Sequence, residues 1–488
     1  MKKYNLIFTV LLVIFLVILI WLQLGHQLIL GTDTFYHAKM AGLYASGENL
    51  TDFPWLNQTD FNGSFGDKSW LFHLIASPFT LIPFPWGLKI FIILCQGLLI
   101  FSFYLLLKKY RLNHKSFWLI ILFISSTYFL LRIQYLRPLL LNIPLSLIGW
   151  YLFNLKRKKW LLLWSMVFVL LSYGSLLIIG VMLMAYLAGY LIINKKIDWR
   201  VIIFTSLGTL AGFILHPNWQ NYFGLLKQNY LAASLPDQIN SLLPRELEPL
   251  KFFEFVQTSY LLLAGLVISA VILVIFIKSL NKSSAKNKIL NQTYLSILFI
   301  VLAFLILTIK SVRFIEYLTP FLILLTAYGL KILFDNFNDY QFDQKIKTFL
   351  KNNLIKTVLI IALFSLMAYP LIVCFKNYTY DDSDTYQETS FWLKNNTPEH
   401  SVVFHVSWDA FPRLFYWNHH NYYLVGLDPV FMYSHSPQTY WLWRHLTEDA
   451  AVCDRQLLSD CGQIKNAPAE IAKAIRENFD SEYIWVNN

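Results

Sequence analysis

The chain has 488 residues, of which 56% are hydrophobic, 17% aromatic and only 14% charged. A soluble fold cannot cover that much apolar surface, so the composition argues against a soluble enzyme. The formal net charge of +11 argues for no nucleic-acid partner, because its lysines and arginines fall in alternate loops rather than in one patch.

Residues 6–24 are almost wholly apolar and long enough to cross a bilayer. Lys2 and Lys3 precede them, and Gln23-Leu24-Gly25-His26-Gln27 is a poor cleavage site, so the segment reads as an uncleaved signal anchor. Ten further spans are expected near 86–107, 116–131, 134–155, 160–174, 175–194, 201–216, 258–278, 292–309, 314–334 and 354–374. Basic clusters at 108–115, 156–159, 195–200, 278–288 and 345–356 mark the cytoplasmic loops. An odd count leaves the N-terminus inside and three segments outside: the loop 25–85, the loop 217–257 and the tail 376–488. The predicted architecture is a polytopic α-helical membrane region over 1–375, with about eleven spans, and a small extracytoplasmic α/β domain over 376–488.

The first loop is expected to hold a helix over 33–46 and an apolar, interface-lying stretch over 69–82. In the tail, helical patterns at 385–394, 437–447 and 467–478 alternate with β-rich runs at 401–406, 421–426 and 482–486, which predicts a small, mainly parallel sheet. Cys453 and Cys461 are a candidate local disulfide, whereas Cys95 and Cys374 read as small apolar residues. No zinc spacing, phosphate-cradling Gly-rich loop or Gly-x-Ser-x-Gly occurs.

Ionisable residues at membrane boundaries are costly and usually serve a cavity, a partner or a substrate. The foremost is Asp33, in Gly31-Thr32-Asp33-Thr34-Phe35-Tyr36-His37-Ala38-Lys39. Asp33 and His37 would share a helix face, and the competing reading makes Thr32 or Asp33 a helix cap. Arg132 and Arg137 flank a short external turn, and Arg313 precedes Glu316 and Tyr317 at the outer end of another span. A guanidinium matches phosphate oxygens; the competing readings are interface anchoring, and mutual neutralisation of Arg313 by Glu316. Asp60, Asp67, His73, Glu246, Glu248 and Glu254 are loop candidates, with Asp67 the best placed because it precedes the interfacial stretch.

Taken with the N-terminal anchor, the long first loop, the dozen or so spans and the external tail, these motifs resemble the GT-C glycosyltransferases. Asp33-Thr-Phe-Tyr36-His37-Ala-Lys39 is similar to the Asp-x-Tyr-Tyr-His-x-Arg acidic motif of oligosaccharyltransferase catalytic subunits. The run from Thr385 through Pro398 to Ser401-Val-Val-Phe resembles the lead-in to their C-terminal domain, with Ser407-Trp408-Asp409-Ala410-Phe411 at the place of Trp-Trp-Asp-Tyr-Gly. Arginines occupy the turn where those enzymes carry a second acidic motif, and no Thr-Ile-x-Glu occurs in 217–257. Protein mannosyltransferases and aminoarabinose transferases, of the same broad fold, are the nearer mechanistic parallels.

The resemblance implies transfer of a sugar from a polyprenyl-phosphate-type lipid donor to a glycan, lipid or protein acceptor, outside a bacterial or archaeal cell membrane. Asp33 would be the base or the acceptor-orienting group, assisted by His37. Arg313, with Arg137 or Lys39, would hold the donor phosphate. Asp67, Trp408 and Asp409 would form a second acidic or acceptor site. No cofactor is assigned; a divalent cation (Mg or Mn) is the alternative that the family's acidic motifs leave open. Two other readings compete, a lipid-linked glycan flippase or transporter and a catalytically inactive relative acting as a membrane partner. Against a transporter, no internal repeat is evident.

Overall fold

The structure is a computed structural model, and it describes residues 2–26, 29–48, 50–155, 157–222, 224, 246, 248–280, 285–336, 353–379, 384–462 and 466–486. Most of the loop 217–257, and Lys156, Lys282, Lys345, Lys347 and Lys351 of the expected basic loops, lie outside the described residues.

The apolar blocks form helices close to where they were expected. In chain order these are α1 (Lys2–Leu24), α2 (Thr32–Ala45), α3 (Trp70–Ala76), α4 (Trp86–Lys109), α5 (Lys115–Ile124) and α6 (Thr127–Arg132). Then come α7 (Leu139–Phe153), α8 (Trp160–Leu171), α9 (Ser175–Asn194), α10 (Trp199–Ile214), α11 (Phe252–Leu280), α12 (Ala285–Lys310), α13 (Ile315–Asn336) and α14 (Asn353–Thr379). Among the described residues, six helices are long and apolar enough to cross a membrane alone. The chain is a multi-pass integral membrane protein.

Several expected spans are shorter. The block at 116–131 is broken at Ser125–Ser126, because the Ser126 hydroxyl accepts from the Phe129 amide at 3.2 Å and caps a new helix. The next block is helical only from Leu139, after Pro138, which leaves 133–138 as an irregular turn. At 1.5 Å per residue, the 12-residue α8 covers about 18 Å, short of a ~30 Å hydrocarbon core. It packs closely on α10: a Cβ on Gly208 would lie 2.1 Å from the Leu162 carbonyl oxygen, so only glycine allows this approach.

The tail opens with α15 (Asp384–Asn396) and builds a sheet from β1 (Val402–His405), β2 (Tyr422–Tyr423) and β3 (Ser481–Trp485), in the order β2-β1-β3 with both pairings parallel. Between them lie α16 (Phe411–Trp417), α17 (Val430–His435), α18 (Pro437–Glu448) and α19 (Pro468–Phe479). The central strand β1 is buried at every position, Val403 entering one apolar cluster and Val402 and Phe404 another. That is the alternation of a strand covered on both faces. Cys453 and Cys461 form the disulfide.

The first loop and the tail share one of these clusters. Tyr36, Met40, Leu43, Phe53, Leu56, Phe61 and Phe65 pack with Val403, Phe411, Phe415, Tyr423 and Trp485. The loop also extends the sheet edge: the Tyr423 amide donates to the Trp55 carbonyl at 2.9 Å, and the Asn57 amide to the Tyr423 carbonyl at 3.2 Å. Each large side chain buried here contributes about 1.5–3 kcal/mol, so α2 is clamped between the membrane helices and the tail.

Candidate functional site

Geometry around Asp33 begins with its neighbours. Gly31 has φ 86°, a conformation that side chains rarely adopt, and a Cβ there would meet the Tyr135 ring at 3.2 Å. This lets α2 start hard against the 133–138 turn. Thr34 then ties the two together, its hydroxyl donating to the Leu30 carbonyl at 2.6 Å and accepting from the Leu136 amide at 3.1 Å. From the other side, Gln96 donates to the Ile133 carbonyl at 2.9 Å. With the turn so held, Arg137 Nη2 lies 2.8 Å from Asp33 Oδ2. Asp33 is not a helix cap: Gly31 holds that position and makes no side-chain bond.

The turn arginines enter a chain of ion pairs. Arg137 Nη1 lies 2.6 Å from Glu246 Oε2, Arg132 also binds Glu246, and the Arg132 Nε–H donates to buried Glu316. Burial pushes the Glu246 carboxyl up, but Arg132 and Arg137 outweigh it and hold the group well below its ordinary range. Glu316 thus pairs with Arg132 and not, as its spacing suggested, with Arg313. The reason is local: Arg313 sits in a 3-10 turn (Val312–Phe314) ahead of α13, outside the α-helical i, i+3 geometry. Among the described residues Arg313 has no ion-pair partner.

A second polar chain runs along the other flank of α2. Ser69 donates its amide to Asp67 Oδ1 at 2.9 Å, and the Tyr44 hydroxyl donates to Asp67 Oδ2 at 3.1 Å. His73 Nδ1 lies 2.6 Å from Asp67 Oδ2, and His73 Nε2 lies 2.7 Å from His37 Nδ1. Asp67, His73 and His37 are all buried. Burial, then the neighbouring His73, Arg137, Lys68 and Arg313, drive the His37 imidazole well below its ordinary value. For Asp67, burial acts upward, but the bonds from His73 and Ser69 win and lower its carboxyl. His216 Nε2, 2.9 Å from the Asp67 carbonyl, and Asn218, donating to the Leu50 and Phe65 carbonyls at 3.0 Å each, pin the loop from the segment after α10.

The structure brings together Asp33, His37, Asp67, Arg137 and Arg313. Arg137, expected to hold phosphate, pairs through Nη2 with Asp33 and through Nη1 with Glu246, and its Nε has no hydrogen-bond partner among the described residues. Lys39 was expected beside it, but α2 turns Lys39 to the tail, where Nζ lies 2.8 Å from His419 Nδ1. Burial brings Lys39 down to about 8. His37 bonds His73 rather than orienting Asp33. Trp408 and Asp409 stand at the end of β1, with Asp409 exposed and bonded by the Ser407 hydroxyl. The tail residue within electrostatic reach of Asp33, Glu246 and Lys68 is Asp428, raised chiefly by burial.

Sequence reasoning missed Lys68. Its ammonium lies 5.8 Å from the Tyr173 and Phe431 ring centroids, it has no ion-pair partner among the described residues, and its field reaches His37 and Asp428. Its only sequence signal was adjacency to Asp67. Neither Lys68 nor Arg313 makes a close ion pair among the described residues, although the fields of Glu246 and Glu316 reach Arg313 and that of Lys68 reaches Asp428. Among the described residues no group of three or more His, Cys, Asp or Glu is arranged to hold a metal.

No protein-family model matches the sequence, and no curated protein matches it. At the level of structure, the chain is similar to ArnT from Cupriavidus metallidurans, solved bound to undecaprenyl phosphate. The TM-score is 0.54 at 12% sequence identity, over 90% of this chain and 89% of that chain. The two-part architecture, membrane helices under a small tail, is therefore that of ArnT, and the chain has a GT-C membrane fold.

Proposed function

We propose that the protein is a glycosyltransferase that moves a sugar from a polyprenyl-phosphate donor to a hydroxyl of a glycan, lipid or protein acceptor, on the extracytoplasmic face. The observation that carries the reading is the pair of cations without a close ion pair among the described residues, Lys68 and Arg313, gathered with the carboxylate of Asp33 around α2. The ArnT-like fold supports it, since that relative binds a polyprenyl phosphate.

In the reaction, the acceptor oxygen bonds to the anomeric carbon as the bond from that carbon to the phosphate oxygen breaks. The electron pair leaves with the lipid phosphate. Lys68 and Arg313 stabilise the charge that develops there. Asp33 has Oδ2 fixed by Arg137, and its Oδ1 makes no hydrogen bond among the described residues, so it is free to orient the acceptor hydroxyl. Arg132, Glu246 and Glu316 hold Arg137 in turn.

The test is to purify the protein and assay sugar transfer from a panel of polyprenyl-phosphate sugars by mass spectrometry. Transfer that needs Asp33, with a donor KM that rises in Lys68→Ala and Arg313→Ala, supports the reading. Absence of transfer from every donor, or lipid movement between leaflets without transfer, overturns it.

A further inference from the structure

Within the proposed function, on which this inference rests, the question left is where the acceptor's proton goes. Asp33 has one oxygen bound to Arg137 and no onward path for a proton. The chain Asp67–His73–His37 has such a path. Asp67, lowered by its partners, is an acceptor, so His73 donates its Nδ1–H to it. With His73 as its Nδ1–H tautomer, the Nε2 lone pair accepts the Nδ1–H of His37. In that arrangement His37 Nε2 is unprotonated, and among the described residues it makes no hydrogen bond.

We propose that His37 Nε2 takes the proton of the acceptor hydroxyl, and that His73 and Asp67 are positioning residues that set its tautomer and balance the charge it acquires. The acceptor oxygen–hydrogen bond breaks as the bond to the anomeric carbon forms. The proton is held on the His37–His73 pair, opposite the Asp67 carboxylate.

The surroundings make such a partner necessary. From the turn comes Arg137, from the start of α13 Arg313 and from the loop Lys68, and each opposes a second positive charge at His37. From α16, Arg413 lies over the Phe35 ring at 5.7 Å, and on α2 itself Lys39 is turned away to His419. The 3-10 turn Ser77–Leu81, also packed on α2, carries no charge. Asp67, reached through His73 and bonded also by Tyr44, is the carboxylate in line to offset the arriving proton. Burial lowers His37 further, so it stays unprotonated at neutral pH and ready to accept.

The experiment measures kcat and donor KM from pH 6 to 9 for the wild type, Asp67→Asn and His37→Gln, with polyprenyl-phosphate binding followed by tryptophan fluorescence. The expected result is a kcat loss of about 10²–10³-fold in both variants near neutral pH. Donor binding should change by less than about threefold, and the residual rate should climb with pH as hydroxide substitutes for the missing base. A loss equal at every pH, a loss confined to donor binding, or full activity in the variants would overturn the relay. If Asp67→Asn fails to fold, His37→Gln decides by the same readouts. A wild type active while both variants match it sinks the relay alone; a wild type inactive with every donor sinks the proposed function.

Discussion

The two flanks of α2 are built on opposite principles. On one, Arg132, Arg137, Glu246, Glu316 and Asp33 are joined in a continuous chain of ion pairs. On the other, two imidazoles bridge to one carboxylate while Lys68 and Arg313 have no ion-pair partner among the described residues. Paired charges fix geometry; cations without a close ion pair cost stability until an anion arrives. In the proposed function, Arg132 and Arg137 hold the site together, and Arg313 and Lys68 face the donor phosphate.

That contrast can be broken at several points. The largest effect is expected at Asp33, the proposed acceptor-orienting group on the paired flank: Asp33→Asn should cut transfer by about 10²-fold or more, as for a misplaced reactant, with little change in melting temperature. A variant that transfers at the wild-type rate removes Asp33 from the chemistry. Arg132→Ala should instead unfold, leaving buried Glu316 without its partner at a cost of about 3–5 kcal/mol, read as a lower melting midpoint in detergent. Lys68→Ala and Arg313→Ala should do the converse, weakening polyprenyl-phosphate binding by about 10–100-fold, as for loss of a charged hydrogen bond, at near-native stability. If either instead destabilises the protein as Arg132→Ala does, the contrast between the flanks is lost.

Acidification should have the smallest effect. Glu246 is lowered below its ordinary 4.5, so its ion pairs are fully present above that value and lost only as the pH falls through the lower folded one. His37 is lowered from 6.5, so the neutral form that the fold requires is disfavoured only below pH 6.5, where the unfolded chain binds the proton more readily. Between pH 8 and 6.5 the melting temperature should barely move on account of either group. Below 6.5 the histidine flank should weaken first, visible as a loss of transfer before any loss of the arginine cluster.

How much of this was legible follows the range of the interaction. The helix at 32–45, the strand at 402–405 and the Cys453–Cys461 disulfide rest on local pattern and spacing, and the structure holds them where the sequence placed them. The placement of Asp33 against Arg137 joins residues about a hundred apart, through Gly31 and Thr34, and spacing carries no trace of it. Glu316 looked like the partner of Arg313 because i, i+3 is the nearest geometry a sequence offers; its actual partner Arg132 lies on a different helix. Lys68 drew no attention because an isolated loop lysine is ordinarily solvated, and only the approach of Tyr173 and Phe431 distinguishes it.

The aromatic cluster shared by the first loop and the tail has a consequence for biogenesis. Phe53, Phe61 and Phe65 are synthesised early, and Phe411, Phe415 and Tyr423 come about 350 residues later. At 5–20 residues per second the early aromatics wait roughly 20–70 s for their cover. Through that interval α2 can form, but one side of it has no wall. Chains stalled or truncated before the tail should accordingly reach the membrane with a sticky, protease-sensitive loop, cleaved first at residues 50–65 in limited proteolysis.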